Sequence, residues 1–263
     1  MILKGQIVAN QIIAKLKNLP APYGRFLVVQ LGCNAVSSLY VSKKKALGEE
    51  LKVDSKILSL SDKISEEELL DKINELNKDK QIKAFLVQMP LPKGIDRLKV
   101  AKMIVDEKDV DGFHFLLGEE PTILPPTVLA IDALLDFYKI AKQNRKILIV
   151  GGGFLVGKPL ARFWRNHNLD VEILEKSDPQ YEQKLKSADI IVVATGGGRK
   201  FSHLDFKSGA TVIDASTIAE EGKVKGDVEV KNWPEDKNLA PSPGGVGPVT
   251  VAMLYQNFYN LVR

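Results

Sequence analysis

Tyr40 and Lys44 stand four residues apart in SSLYVSKKKALGEEL (37–51), a spacing that puts both side chains on one side of a helix. An amine beside an aromatic ring can hold a flat ligand and move a proton, provided its ammonium form is destabilised by burial or by a neighbouring cation. Lys43 and Lys45 flank it. A helical projection places Lys43 near Leu39, Ala46 and Leu47, whereas Lys45 points away with Val41. Periodicity therefore sets Lys45 aside and leaves Lys43 and Lys44 both open. A lysine triplet is more often a solvated basic face, so other residues must decide.

A second group carries different chemistry. IVGGGFLVGKP (149–159) places Gly151, Gly152, Gly153 and Gly157 between an apolar run and a helical stretch opened by Pro159. Glycines at a strand-to-helix turn let the backbone approach a ligand, and the helix N-terminus offers free N–H groups to an anion. The spacing matches a dinucleotide fingerprint only loosely. Glu175, at the end of the next apolar run, stands where an acid can accept from a ribose 2′-hydroxyl. VVATGGG (192–198), with Thr195, Gly196 and Gly198, then ends a third strand in glycines, at the edge where such sheets bind ligands.

The elements that must position these residues alternate. RFLVVQL (25–31), KILSL (56–60) and AFLVQM (84–89) read as buried strands in the first half. Ser65 and Glu68 have capping-box spacing at the head of a helix. A long helix is expected from Thr127 to about Lys142, followed by strands in KILIV, DVEILE, DIIVVATGG and ATVIDAS and a closing helix in GPVTVAMLYQNFYNLVR. This rhythm predicts an α/β protein of two α/β domains, the second a Rossmann-like doubly wound parallel sheet, with a cleft between them. The expected boundaries are 1–126, with a helix at about 249–263 packing back onto it, and 127–248.

Bulk properties agree with a chain of this type. At 263 residues, two modest domains are expected. A net charge of +4, spread along the chain, is too weak a bias for nucleic acid and suits an anionic small molecule. Cys33 is the only cysteine, which excludes an intrachain disulfide and favours a reducing compartment. The first twenty residues lack the continuous apolar run of a signal peptide or membrane span, so a cytoplasmic location is expected. Of the three histidines, His114 reads as structural and His167 and His203 have no motif context, so no metal is expected.

Tyr40 and Lys44, VQMPLP (87–92), KDVDGFH (108–114), the turn ending in VGKP and PSPGGVGPVTVAML (241–254) occur in that order. The set resembles the methylenetetrahydrofolate dehydrogenase/methenyltetrahydrofolate cyclohydrolase family, the FolD type, over nearly the whole chain. Short-chain dehydrogenases also pair a tyrosine with a lysine four residues on, but there the glycine turn comes first. The resemblance implies oxidation of 5,10-methylenetetrahydrofolate with a nicotinamide dinucleotide, then hydrolysis of the methenyl cation to 10-formyltetrahydrofolate. It implies that Lys44 is the catalytic lysine, that Tyr40 stacks on the pterin, that Gln88 bonds the lysine and that Asp111 binds the pterin's amino edge. Pro241, Gly244 and Gly245 would form the wall where folate and nicotinamide meet. Gly151, Gly152, Gly153, Val156 and Gly157, with Glu175, Lys176, Thr195, Gly196 and Ser216, would hold the cofactor. A homodimer is also implied.

Several departures bear on the dehydrogenase half. The family's glycine turn reads G-R-S, whereas Gly152 and Gly153 occupy the last two places. Glu175 and Lys176 replace a His–Ser pair, and an acid there favours NAD over NADP, with Lys176 partly compensating. Ser216 in VIDAST replaces a glycine, and PPTVLA (125–130) replaces P-C-T-P-x-G while retaining Thr127. The alternatives are a cyclohydrolase with a weak or lost dehydrogenase and a shikimate-type two-domain dehydrogenase.

Overall fold

A computed structural model describes residues 1–32, 35–197, 200–220 and 223–263; Cys33 and Gly198 lie outside the described residues. The chain folds as two compact units. Gln11–Pro126 with Val251–Arg263 carries Lys44, and Thr127–Thr250 with Met1–Asn10 carries the glycine turn. They are termed the lysine unit and the glycine unit.

The lysine unit is built from α1 (Gly5–Lys17), whose first residues belong to the other unit, β1 (Arg25–Leu31), α2 (Ala35–Glu50), β2 (Asp54–Leu60), α3 (Glu66–Lys78), β3 (Ile82–Val87), α4 (Arg97–Met103) and α5 (Phe113–Leu116). Its strands pair in parallel in the order β2-β1-β3. Parallel neighbours need crossovers, and α2 and α3 supply them. Central β1 is buried from Phe26 to Leu31, whereas edge strand β2 alternates between half-buried and exposed. Ser65 and Glu68 form the expected reciprocal cap on α3, which buries Leu69, Ile73 and Leu76, one stripe of a helix.

In the glycine unit, α6 (Pro126–Phe137), β4 (Ile147–Val150), α7 (Gly157–Asn166), β5 (Val171–Leu174), α8 (Tyr181–Ser187), β6 (Ile190–Val193), β7 (Thr211–Asp214), the hairpin β8 (Ile218–Glu220) and β9 (Lys223–Lys225), β10 (Asn238–Ala240) and the start of α9 (Val246–Leu261) follow one another. Five strands form a parallel sheet in the order β10-β7-β6-β4-β5. Chain direction across the sheet reverses between β4 and β6, which is where open parallel sheets bind ligands at their carboxyl ends.

Two expectations need correction. Residues 1–10, assigned by sequence to the first domain, join the glycine unit: Ile2 bridges Leu239, and the Leu3 N–H donates to the Leu239 carbonyl at 2.7 Å. A helix expected to reach Lys142 stops at Phe137, because Lys139 takes a left-handed conformation (φ 55°) and Ile140 N–H closes the end onto the Leu135 carbonyl.

Candidate active site

Lys44 occupies a position that the helix period reserves for an apolar residue. On α2 the buried row runs Val41, Lys44, Leu47 and Gly48, while Lys43, Lys45 and Ala46 are exposed. Lys44 is only 8% exposed. Of the two lysines that periodicity leaves open, Lys44 is the buried one and Lys43 is exposed. The projection of Val41 alongside Lys45 is corrected: Val41 lies three residues before Lys44 in the buried stripe, and Lys45 turns outward to Glu49 at 3.8 Å. Lys43 sits 5.8 Å from the centroid of the half-buried Tyr40 ring. The side chain of Leu39 lies outside the described residues.

The Lys44 Nζ donates to Gln88 Oε1 at 2.8 Å. Gln88 follows β3, its backbone N–H bound to the Val29 carbonyl, and its Nε2 donates to the Met89 carbonyl at 2.8 Å. That second bond fixes the flip of the amide, so the oxygen faces the lysine. Burial pushes the Lys44 ammonium down from its ordinary range, and Asp111 pulls it partly back. Burial likewise raises the Asp111 carboxyl against the pull of Lys44.

The turn that carries Asp111 is held by residues the motif alone does not single out. Asp109, 1% exposed, accepts from the His114 N–H at 3.0 Å, and its Oδ1 has no partner among the described residues. Burial pushes this carboxyl up to about 7. Gly112 has φ 70°, and a Cβ there would lie 2.6 Å from the Pro125 nitrogen, so only glycine lets the turn meet residues 124–125. From α9, Asn257 donates to the Val110 and Leu124 carbonyls at 3.1 and 2.9 Å. His114 contacts the Ile104 carbonyl and Glu119 and is absorbed in that scaffold.

In the glycine unit the turn after β4 lies at the switch point. A Cβ on Gly151 (φ 96°) would lie 2.8 Å from the Ala194 carbonyl, and one on Gly157 would lie 2.0 Å from the Gly151 carbonyl. The backbone therefore closes tightly around the start of α7, with Val156 as its N-cap residue. Gly153 is exposed and open. The Gly152 N–H donates to Glu175 Oε1 at 2.9 Å, which fixes an exposed carboxylate over the turn; Lys176 beside it is exposed. Across the switch point, Thr195 and Gly196 (φ 75°) follow β6. This cradle fits a dinucleotide.

Ser216 is placed differently from its neighbours. It is 1% exposed, and its hydroxyl donates inward to the Val193 carbonyl at 3.3 Å. Behind it, Asp214 accepts from the Ser216 and Val228 N–H groups, and the Thr195 hydroxyl donates to Asp227. Burial, with Asp227 adding to it, pushes the Asp214 carboxyl up to about 6. Both aspartates end or follow strands, and a sequence reading intent on glycines passes over them. Pro241, Gly244 and Gly245 also belong to the glycine unit, where the Pro241 carbonyl accepts from Gly245 at 2.7 Å and the Gly244 carbonyl holds the Gly5 N–H at 2.8 Å. Among the described residues no cluster of metal-ligating side chains occurs, and no helix is long and apolar enough to cross a membrane.

A buried lysine–amide pair in one unit and a nucleotide cradle in the other define a two-unit α/β enzyme that uses a nicotinamide cofactor. Residues 3–111 match the tetrahydrofolate dehydrogenase/cyclohydrolase catalytic domain, and residues 125–263 match that family's NAD(P)-binding domain. The bifunctional protein FolD of Lacticaseibacillus paracasei is 37% identical over 99% of this chain and 97% of its own. A FolD methylenetetrahydrofolate dehydrogenase/cyclohydrolase structure from Campylobacter jejuni superposes with TM-score 0.90 at 31% identity, over 100% of this chain and 98% of that one. One from Trypanosoma brucei, complexed with NADP and an inhibitor, gives 0.89 at 25% identity over 100% and 97%. The chain belongs to the tetrahydrofolate dehydrogenase/cyclohydrolase family, enzymes of one-carbon folate metabolism that combine a dehydrogenase and a cyclohydrolase. The shikimate-type alternative is the weaker one.

Proposed function

We propose that this chain oxidises 5,10-methylenetetrahydrofolate to the methenyl cation and hydrolyses the cation to 10-formyltetrahydrofolate, with Lys44 as the proton-transfer group. The observation that carries the reading is the buried ammonium on the Gln88 oxygen. Hydrolysis adds water to the one-carbon bridge, breaks one carbon–nitrogen bond and needs a proton taken from the water and returned to the leaving nitrogen. An amine does this near neutral pH only when its charged form is disfavoured, and desolvation disfavours it here. Gln88 orients Nζ without adding a charge that would hold its proton. Asp111 receives the pterin's amino edge as a bidentate acceptor, and Tyr40 stacks on the ring. A nicotinamide dinucleotide held at the 151–157 turn would supply the hydride acceptor for the first step.

The cofactor reading is NAD. Glu175 is fixed by the Gly152 N–H, so its free oxygen is poised for a ribose 2′-hydroxyl and its charge opposes a 2′-phosphate. Initial rates with both dinucleotides test this: a clear NADP preference overturns it. Glu175→Gln is expected to raise the NADP-to-NAD ratio of kcat/KM about tenfold, the worth of roughly 1.4 kcal/mol.

The two activities are separated by assay. Loss of the methenyl cation's absorbance reports hydrolysis, and the methylene compound with either dinucleotide reports oxidation. Lys44→Met is expected to lower hydrolysis by about a hundredfold or more while leaving the fold intact; retained hydrolysis removes Lys44 from the mechanism. Activity in the first assay alone selects a cyclohydrolase with a lost dehydrogenase. A homodimer in the cytoplasm completes the reading, and light scattering tests its mass.

A further inference from the structure

Tyr255 on α9 is fully buried, yet its hydroxyl is not idle. It donates to the backbone carbonyl of Lys44 at 2.6 Å and lies 3.1 Å from Ser55 Oγ. Lys44 carbonyl and Gly48 N–H are the partners of one ordinary helical turn, so the phenol is lodged against the rung of α2 that begins at the lysine. The approach depends on Gly48, where a Cβ would lie 2.5 Å from the Tyr255 hydroxyl and 2.6 Å from Ser55 Cβ. The ring itself is held by an edge contact to Phe26 at 5.4 Å. The other occupants of a core position here, phenylalanine or leucine, would pack as well without reaching the helix backbone.

We propose that Tyr255 is a positioning residue for Lys44, its hydroxyl fixing the backbone of α2 at the lysine so that Nζ stays on the Gln88 oxygen and out of water. This rests on Lys44 being the proton-transfer group. Among the described residues, the groups that face Lys44 include Asp111 from the 109–112 turn and the neutral Gln88 after β3, with Tyr255 behind the backbone from α9 and Glu49 of α2 acting on the phenol. Lys43 and Lys45 on the same helix are exposed.

The test is Tyr255→Phe, which deletes one oxygen and keeps the ring. In the cyclohydrolase assay kcat is expected to fall about tenfold with KM nearly unchanged, because a displaced proton-transfer group slows the reaction without weakening binding. The acid limb of the pH–rate profile is expected to move to higher pH, since a loosened ammonium regains water and its lowered pKa rises. Ser55→Ala removes the phenol's side-chain partner but leaves its bond to the lysine backbone carbonyl, and should keep the wild-type limb. A Tyr255→Phe enzyme that is less heat-stable but keeps kcat and the limb makes the tyrosine purely structural and overturns the proposal, as does a Ser55→Ala enzyme with an equal shift. Lys44→Met distinguishes the two levels: if it still hydrolyses the cation, the lysine reading fails first.

Discussion

At the scale of single residues, burial sets opposite titration problems for an amine and a carboxyl. Burial disfavours the charged form of Lys44 and so makes the neutral amine, the form that takes a proton, easier to reach. Asp109 also favours its neutral form, raised from 3.8 to about 7, but there the consequence falls on stability. Between those values the unfolded chain releases a proton that the folded chain keeps, so stability declines as pH rises and is flat on either side. The slope is at most about 1.4 kcal/mol per pH unit. Asp109→Asn retains an oxygen for the His114 N–H and cannot ionise. Urea unfolding of this variant from about pH 4 to 7 should therefore lack a decline that the parent shows; equal slopes would mean that Asp109 ionises freely. The same neutrality matters for the site, since a charged Asp109 would repel Asp111, the group beside Lys44.

Elements place these residues, and they do so through ends as much as through faces. Three helices finish with the same device on a residue other than glycine. Lys52, Lys139 and Asn168 adopt left-handed backbone (φ 56°, 55° and 58°), and the next N–H bonds back to Gly48, Leu135 and Trp164 carbonyls after α2, α6 and α7. That is a Schellman closure, where glycine is the usual occupant. A lysine there bears left-handed strain of roughly 1–2 kcal/mol, partly offset because glycine loses more chain entropy on folding. Lys139→Gly is thus expected to raise stability by about 0.5–1 kcal/mol in denaturant titration; a loss would show that the lysine stem packs usefully.

The same feature explains what the sequence concealed. With lysine in place of glycine, nothing in FYKIAKQNRK marks the end of α6, and the helix reads on to Lys142. Most of the apolar runs in both halves are legible because covered parallel strands are continuous in hydrophobicity, whereas β2 is an edge strand, half-buried at most. β10 is three residues long and carries no such signal. Tyr40, Lys44, Gln88 and Asp111 are legible as an ordered set. Asp109 and Tyr255 are not, since their roles come from burial and from partners as distant as 211 residues along the chain.

For the whole molecule, the division of labour between units leads to a prediction that activity alone does not make. Lys44 lies in Gln11–Pro126, whereas Glu175 and the glycine turn lie in Thr127–Thr250. A ligand that binds only the folded state stabilises it by an amount set by its concentration over Kd, about 2.7 kcal/mol at a hundredfold excess. NAD should therefore raise the unfolding midpoint of Lys44→Met as far as that of the parent, although this variant no longer hydrolyses the cation. Gly157→Ala is expected to do the reverse in part. Its methyl would meet the Gly151 carbonyl at 2.0 Å, so the turn must open and NAD should lose most of its stabilising effect. Hydrolysis, which needs no hydride acceptor, should persist in whatever fraction of the Gly157→Ala protein remains folded. If NAD fails to stabilise Lys44→Met, the lysine contributes to holding the dinucleotide and the two activities share more than a chain.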